Sequence, residues 1–297
     1  SLVGSEMCIR DSKSPYRHLD RLTRVYEYMG PAWYQREIEI PAAWKGKRIF
    51  LYFERTHWLS SVYVGKEEVS KIDYISIPHN HELTQWLHPG KKELITFCID
   101  NRYQYDTHKW DHAHSEFTQI NWNGVLGEIK LVAVDPVYVD DMQVYPDIKN
   151  KSIKVKMTVR NCTEHTASGK ISFHVTGKDY RLQKEVPVTV TDSITYIEEE
   201  MFLGKDIHLW NEFHPNLYTL DCKLTSSVEG QSYAHEKSTT FGMREVEAGE
   251  DRIILNGEPI HLRGTVENAV FPKTGYAPVD DASWERVLRI LKEYGMN

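Results

Sequence analysis

The sequence predicts a mainly β chain: two β-sandwiches in succession, then a single strand–helix unit. Three observations carry that expectation. Ile153, Val155, Met157 and Val159 alternate with Ser152, Lys154, Lys156 and Thr158, and period two marks a strand with one buried face. Runs of that kind recur along the chain with short polar turns between them and no convincing helix. Only near the end do Trp284, Val287, Leu288 and Leu291 fall at i, i+3, i+4 and i+7, the apolar stripe of an amphipathic helix.

The 297 residues suffice for two or three domains of roughly 100–200 residues each. Residues 1–13 are set aside. Ser1 to Ser12 reads SLVGSEMCIRDS, which lacks the basic-then-apolar order of a secretion signal and resembles a translated sequencing adapter. The true N-terminus is then missing from the chain.

The first region is placed at 14–135. Ile38 and Ile40 alternate with Glu37 and Glu39 until Pro41 ends the run. Arg48 to Glu54 is a second strand with Ile49, Leu51 and Phe53 on one face. Ser61 to Val64 is a third, closed by the turn signal Gly65-Lys66. Glu93 to Ile99 is apolar on both faces, as a central strand is, and Glu128 to Val134 comes last. Many short strands without a helix indicate a sandwich or jelly roll.

The second region, 136–242, repeats the alternation at Ile171, Phe173, Val175 and at Tyr218, Leu220, Cys222, Leu224. Its size and strand spacing fit a seven-stranded immunoglobulin-like sandwich of ~100 residues. The third region, 243–297, differs. Arg252 to Leu255 is a short strand, Asn256-Gly257 a hairpin turn with positive φ at both positions, and Ile260 to Arg263 the next strand. The helix starts near Asp280 or Asp281, either of which can serve as its N-cap, and Gly295 suits the C′ position. A strand followed by a helix is one βα unit, where a β/α barrel needs eight, or ~250 residues.

Composition narrows the partners. The net charge of −7 without a basic run argues against nucleic acid and gives no attraction to an anionic membrane. No stretch approaches the ~18 apolar residues of a membrane span. The four cysteines, Cys8, Cys98, Cys162 and Cys222, are far apart, so no zinc or redox motif is formed. Cys98 and Cys222 lie in strand runs as small buried hydrophobes. His108, His112 and His114 bind a metal through their i, i+4 spacing only on a helix, and nothing nearby would orient the rings. No metal and no cofactor are expected. The generous aromatic content, 8 Trp and 17 Tyr, fills cores for the most part; an exposed ring can also stack on the C–H face of a sugar.

Three segments resemble the N-terminal half of family 2 glycoside hydrolases. Gly30 to Glu54, GPAWYQREIEIPAAWKGKRIFLYFE, is similar to the opening of that family's sugar-binding jelly roll, with Val62-Tyr-Val-Gly-Lys standing where the family has a Val-Asn-Gly hairpin. Leu209 to Leu220, LWNEFHPNLYTL, is similar to the end of its immunoglobulin-like domain. Phe241 to Gly264, ending ILNGEPIHLRG, is similar to its transition into the catalytic barrel. Their order and spacing are the family's, and the resemblance covers residues 14–297.

The resemblance implies the front end of a retaining β-glycosidase, a β-galactosidase first and a β-glucuronidase or β-mannosidase as alternatives. Retention needs two carboxyl groups ~5–5.5 Å apart, one to protonate the leaving oxygen and one to attack the anomeric carbon. In the family both are glutamates on later barrel strands, and the acid follows an Asn. The one Asn-Glu pair here, Asn211-Glu212, lies inside the immunoglobulin-like signature and is expected to be a decoy. No catalytic residue is therefore assigned to this chain.

Candidate substrate-binding residues follow from the same resemblance. Arg263, Glu267 and Asn268 lie at or just beyond the end of the first barrel strand, the side on which barrel active sites form. The family's usual Asn-Arg-His-Glu run after Arg-Gly is replaced here by Val266-Glu267-Asn268. A long polar loop, Tyr103 to Gly124, corresponds to one the jelly roll lends to the pocket. Asn121 and Asn123 can bond sugar hydroxyls, and Trp122 offers a flat apolar face. A carbohydrate substrate is implied, membrane insertion is not, and a homo-oligomer of the full-length protein is left open. A periplasmic or secreted setting suits the parent protein. The alternatives are a non-catalytic two-sandwich carbohydrate-binding module and an adhesion protein. Neither has a use for a βα unit whose stripe, Trp284, Leu288 and Leu291, calls for a barrel to bury it.

Overall fold

The computed structural model describes residues 28–75, 77–102, 123–266, 278 and 280–297. The chain divides into two compact units, residues 1–133 with 264–296, and residues 134–263 with Asn297.

Among the described residues, the first unit holds seven strands: β1 (Pro31–Glu39), β2 (Arg48–His57), β3 (Leu59–Val64), β4 (Glu67–Asp73), β5 (His79–Glu82), β6 (Lys92–Asp100) and β7 (Gly124–Val134). They form one sheet in the order β1-β6-β3-β4 and another in the order β5-β2-β7. Ile49, Leu51 and Phe53 of β2 are buried on one face, as their alternation predicts, and pack into one core with Val62, Ile95, Phe97 and Ile99 of the other sheet. Phe53 and Phe97 meet at 4.8 Å between centroids. β6 is apolar on both sides because it lies inside its sheet, between β1 and β3. Gly65, at φ +61°, makes the β3–β4 turn.

Within the second unit, residues 137–241 hold seven strands, as the spacing predicts. They are β8 (Val137–Asp147), β9 (Ser152–Asn161), β10 (Ala167–Gly177), β11 (Tyr180–Val190), β12 (Ile194–Phe202), β13 (Tyr218–Val228) and β14 (Gln231–Phe241). Four pair in the order β11-β10-β13-β14 and three in the order β12-β9-β8. The period-two residues Ile153, Val155, Met157 and Val159 face Ile171, Phe173, Val175, Leu220, Cys222 and Leu224 in a single core. The thiol of Cys222 lies 3.7 Å from the sulfur of Met157. At Gly169 the backbones of β10 and β13 approach so closely that a Cβ would stand 1.9 Å from the Thr225 carbonyl oxygen.

After β14 comes a small antiparallel sheet of β15 (Val246–Ala248), β16 (Ile253–Leu255) and β17 (Glu258–Pro259). Its turn has φ +53° at Asn256 and +85° at Gly257, the two positive angles expected of this hairpin. One expectation is corrected. Ile260 donates to Ile253, but the segment to Arg263 is not a strand. A barrel strand takes hydrogen bonds from a neighbour on each side, and among the described residues no strand pairs with 261–263.

The one helix among the described residues is α1 (Asp281–Glu293). Asp280 is its N-cap, accepting from Ser283 N–H at 2.8 Å. Gly295, at φ +80°, closes it: Gly295 N–H donates to Lys292 and Met296 N–H to Leu291, the Schellman arrangement. None of its residues is fully buried, and Leu288 and Ile290 are exposed.

Candidate functional site

In the first unit, the chain on either side of residues 103–122 is fastened to one peptide. Before it, β6 runs out at Asp100 and Asn101 turns inward, almost fully buried. Its Oδ1 accepts from Gly30 N–H at 2.9 Å and its Nδ2 donates to the Tyr28 carbonyl at 2.8 Å. After it, Asn123 is buried too, and its Nδ2 donates to the Gly30 carbonyl at 2.8 Å. Both polar atoms of Gly30 are thus held by side-chain amides that bracket the loop. Gly30 adopts φ +153° to reach them, a left-handed value suited to glycine.

The remaining groups at this edge are ionic and aromatic. Arg102 clasps Asp100 in a two-pronged pair, with Nε at 3.0 Å from both carboxylate oxygens and a terminal nitrogen at 2.5 Å. Arg102 N–H also donates to the carboxylate at 3.0 Å. Burial pushes the Asp100 carboxyl up, and the Arg102 hydrogen bonds and charge outweigh it, holding it below the ordinary value. Trp58, buried, donates through Nε1 to the Arg102 carbonyl at 3.0 Å, with the ring of His57 edge-on at 5.4 Å. Asp100 is therefore ionised at neutral pH, its charge balanced by Arg102.

Of the residues that sequence reading proposed for sugar contact here, Asn121 and Trp122 lie outside the described residues, as do His108, His112 and His114. Asn123 is buried, and its Nδ2 holds the Gly30 carbonyl. Sequence reading missed Asp100, Asn101, Arg102 and Trp58. The available signal was an Asp-Asn pair placed directly after the apolar strand Ile95–Ile99.

In the second unit, Arg263 follows β17. Its N–H donates to Asn297 Oδ1 at 2.8 Å, its carbonyl accepts from Asn297 N–H at 3.1 Å, and Asn297 Nδ2 reaches the His261 carbonyl at 3.1 Å. The backbone of Arg263 is fixed while its side chain is exposed. Glu267 and Asn268 lie outside the described residues.

The Leu209–Leu220 segment is a knot of hydrogen bonds rather than a reactive site. Asn211 Oδ1 accepts from Phe213 N–H at 3.0 Å and His214 N–H at 2.8 Å, a turn built on an Asn side chain. Asn216 Nδ2 donates to Leu209 and Asn256 Nδ2 to Trp210, both at 2.9 Å. The Arg244 guanidinium stacks 4.4 Å over the Trp210 ring. Asn211-Glu212 thus belongs to a turn built on the Asn211 side chain.

Comparison with known proteins places these features in context. Residues 137–244 match the model of glycosyl hydrolases family 2. Over 274 residues the chain is 24% identical to a β-galactosidase of Thermoanaerobacter pseudethanolicus, covering 91% of this chain and 36% of that protein. It is 22% identical over 264 residues to a β-glucuronidase of Paenibacillus borealis, covering 84% of this chain and 42% of that one. Among solved structures, a glycosyl hydrolase family 2 member from Bacteroides cellulosilyticus superposes with a TM-score of 0.73 at 20% identity, over 92% of this chain and 36% of the other. A Bacteroides uniformis β-glucuronidase 2 gives 0.73 at 19% identity, over 91% and 33%. The chain spans about a third to two fifths of the length of these proteins.

Proposed function

We propose that the chain belongs to glycoside hydrolase family 2 and is the non-catalytic front portion of a retaining β-glycosidase. In that reading the first unit is the family's jelly roll, the second its immunoglobulin-like domain, and the segment from 243 the start of the barrel. The supporting observation is the run of similarity to a β-galactosidase along 91% of the chain. The substrate is a β-linked carbohydrate, a β-galactoside first and a β-glucuronide or β-mannoside next.

The chemistry is assigned outside these residues. A retaining pair needs two facing carboxyl groups, and no residue of this chain is proposed for it. What this chain contributes is placement. The residues on either side of 103–122 are fastened to Gly30, and Asn121 and Trp122 are proposed as sugar contacts. Arg263, on a fixed backbone, supplies a positive donor fork, with Glu267 and Asn268 beyond it.

The test is direct. The 297-residue chain is expected to leave nitrophenyl β-galactoside, β-glucuronide and β-mannoside intact. The protein expressed from the uninterrupted locus is expected to hydrolyse at least one with retention of configuration. Turnover by the chain alone overturns the assignment of chemistry elsewhere, and an inert locus product overturns the glycosidase reading. In the active protein, Trp122→Ala is expected to raise KM about fivefold, the loss of roughly 1 kcal/mol of ring stacking, with kcat near its original value.

A further inference from the structure

The first unit has an open side where β4, the edge of one sheet, lies beside β5, the edge of the other. His79 and His81, both of β5 and both fully buried, reach across it. The Ser60 hydroxyl of β3 stands between the two rings, 2.6 Å from His79 Nδ1 and 2.9 Å from His81 Nε2. His81 Nδ1 then meets the Ser70 hydroxyl of β4 at 2.8 Å, and His79 Nε2 meets the Tyr74 carbonyl at 2.9 Å. Thr56 of β2 lies against the His79 ring, 2.9 and 3.1 Å from its two nitrogens.

The direction of this chain is fixed by its ends. A carbonyl only accepts, so His79 carries its proton on Nε2 and its Nδ1 accepts. A contact of 2.6 Å must contain a hydrogen, so Ser60 donates to Nδ1. Ser60 then accepts from His81 Nε2–H, and His81 Nδ1 accepts from Ser70. Every group is satisfied with both imidazoles neutral. One added proton either enters His81 Nδ1, where the Ser70 hydroxyl has to turn from donor to acceptor, or enters His79 Nδ1, which reverses the chain as far as Ser70 and moves the His81 proton from Nε2 to Nδ1. A second leaves two imidazolium rings, 6.1 Å apart, facing each other across a single hydroxyl.

We propose that this His79–Ser60–His81–Ser70 chain is an acid-released latch on the β4–β5 seam, closed with both imidazoles neutral and opened by protonation of the pair. The other groups facing it are Thr56 and Phe53 from β2, Asp73 from β4 and Tyr74 from the connection. Asp73 is the acid whose charge favours a proton on His79, and burial outweighs it. Burial, with the charge of His79 added, takes His81 down to about 3. Both shifts lie below the free value near 6.5, so the latch is at full strength above that pH. It weakens as pH falls through 6.5 toward the folded values, because the open form takes up protons that the closed form refuses.

The test is peptide-resolved amide hydrogen exchange on the intact chain between pH 7 and 5, corrected for the intrinsic rate. Residues 67–82 are expected to open about 25-fold more often at pH 5 for each histidine that stays neutral when closed. The His79→Gln/His81→Gln variant is expected to lose this pH dependence. Imidazole nitrogen shifts of the unsubstituted chain at pH 6 are expected to report two neutral rings protonated on Nε2, a reading that does not depend on any variant folding. Flat corrected exchange, an unchanged slope in the double variant, or charged rings at pH 6 would each overturn the latch.

Discussion

Gly30 shows how one residue can organise a site it never touches. Its N–H and its carbonyl are bound by Asn101 and Asn123, 71 and 93 residues away in sequence. Removing Asn101 leaves the Gly30 N–H and the Tyr28 carbonyl without that amide in a buried place, at about 1–3 kcal/mol for an unsatisfied group. Asn101→Ala is therefore expected to lower the urea midpoint of the chain, and Asn123→Ala to do the same. A loss of affinity for sugar without loss of stability in Asn123→Ala would contradict the role assigned to it. The cysteines separate by the same logic of burial. Burial pushes the Cys98 thiol up to about 11 and the Cys222 thiol up to about 12, whereas Cys162 is exposed. In a Cys8→Ser background a disulfide reagent at pH 8 is expected to titrate one thiol in the folded chain and three after denaturation. Asn161-Cys162-Thr163 fits the short N-glycosylation pattern, yet Asn161 is buried and its Nδ2 donates to the carbonyls of His165 at 2.9 Å and Val190 at 3.2 Å.

At the scale of elements, the strands with strict alternation were legible because period two states directly which face is buried. β9, β10 and β13 are of this kind, and so is the hairpin at Asn256-Gly257, whose two positive φ angles only a few residue types accept. β11 was harder to read because Pro187 interrupts it. Its place at the edge of the sheet explains the tolerance. The segment 261–263 looked like a strand by composition, yet strand geometry is supplied by a partner, and none of the described strands gives it one. Gly169→Ala is expected to cost at least 1–3 kcal/mol, because β10 and β13 must part to admit the methyl group beside Thr225; thermal unfolding checks it. At α1, the bonds from Ser283, its N–H first, hold the Asp280 carboxyl below its ordinary value. Its capping contribution is thus present above the free pKa near 4 and lost as pH falls through the folded one. Asp280→Ala is expected to reduce helical circular dichroism at pH 7 and to make no difference at pH 2.

For the whole molecule, each unit has its own apolar core, one around Phe53 and Phe97 and one around Phe173 and Leu220. Phe173→Ala is expected to cost about 3–5 kcal/mol and to appear as faster amide exchange in β9, β10 and β13. By itself the sequence determined that the chain is mainly β, where the alternating strands run, that residues 136–242 hold seven of them, and which family it resembles. Those properties are local: a side chain's face in a strand follows from its position alone. The tertiary structure decided which polar residues are structural. Asn101 and Asn123 in the base of the loop, and His79 and His81 in the seam, carry no periodic signal. Their partners come from strands far away in sequence, and only strand register and sheet packing bring a donor within 3 Å of the acceptor it serves.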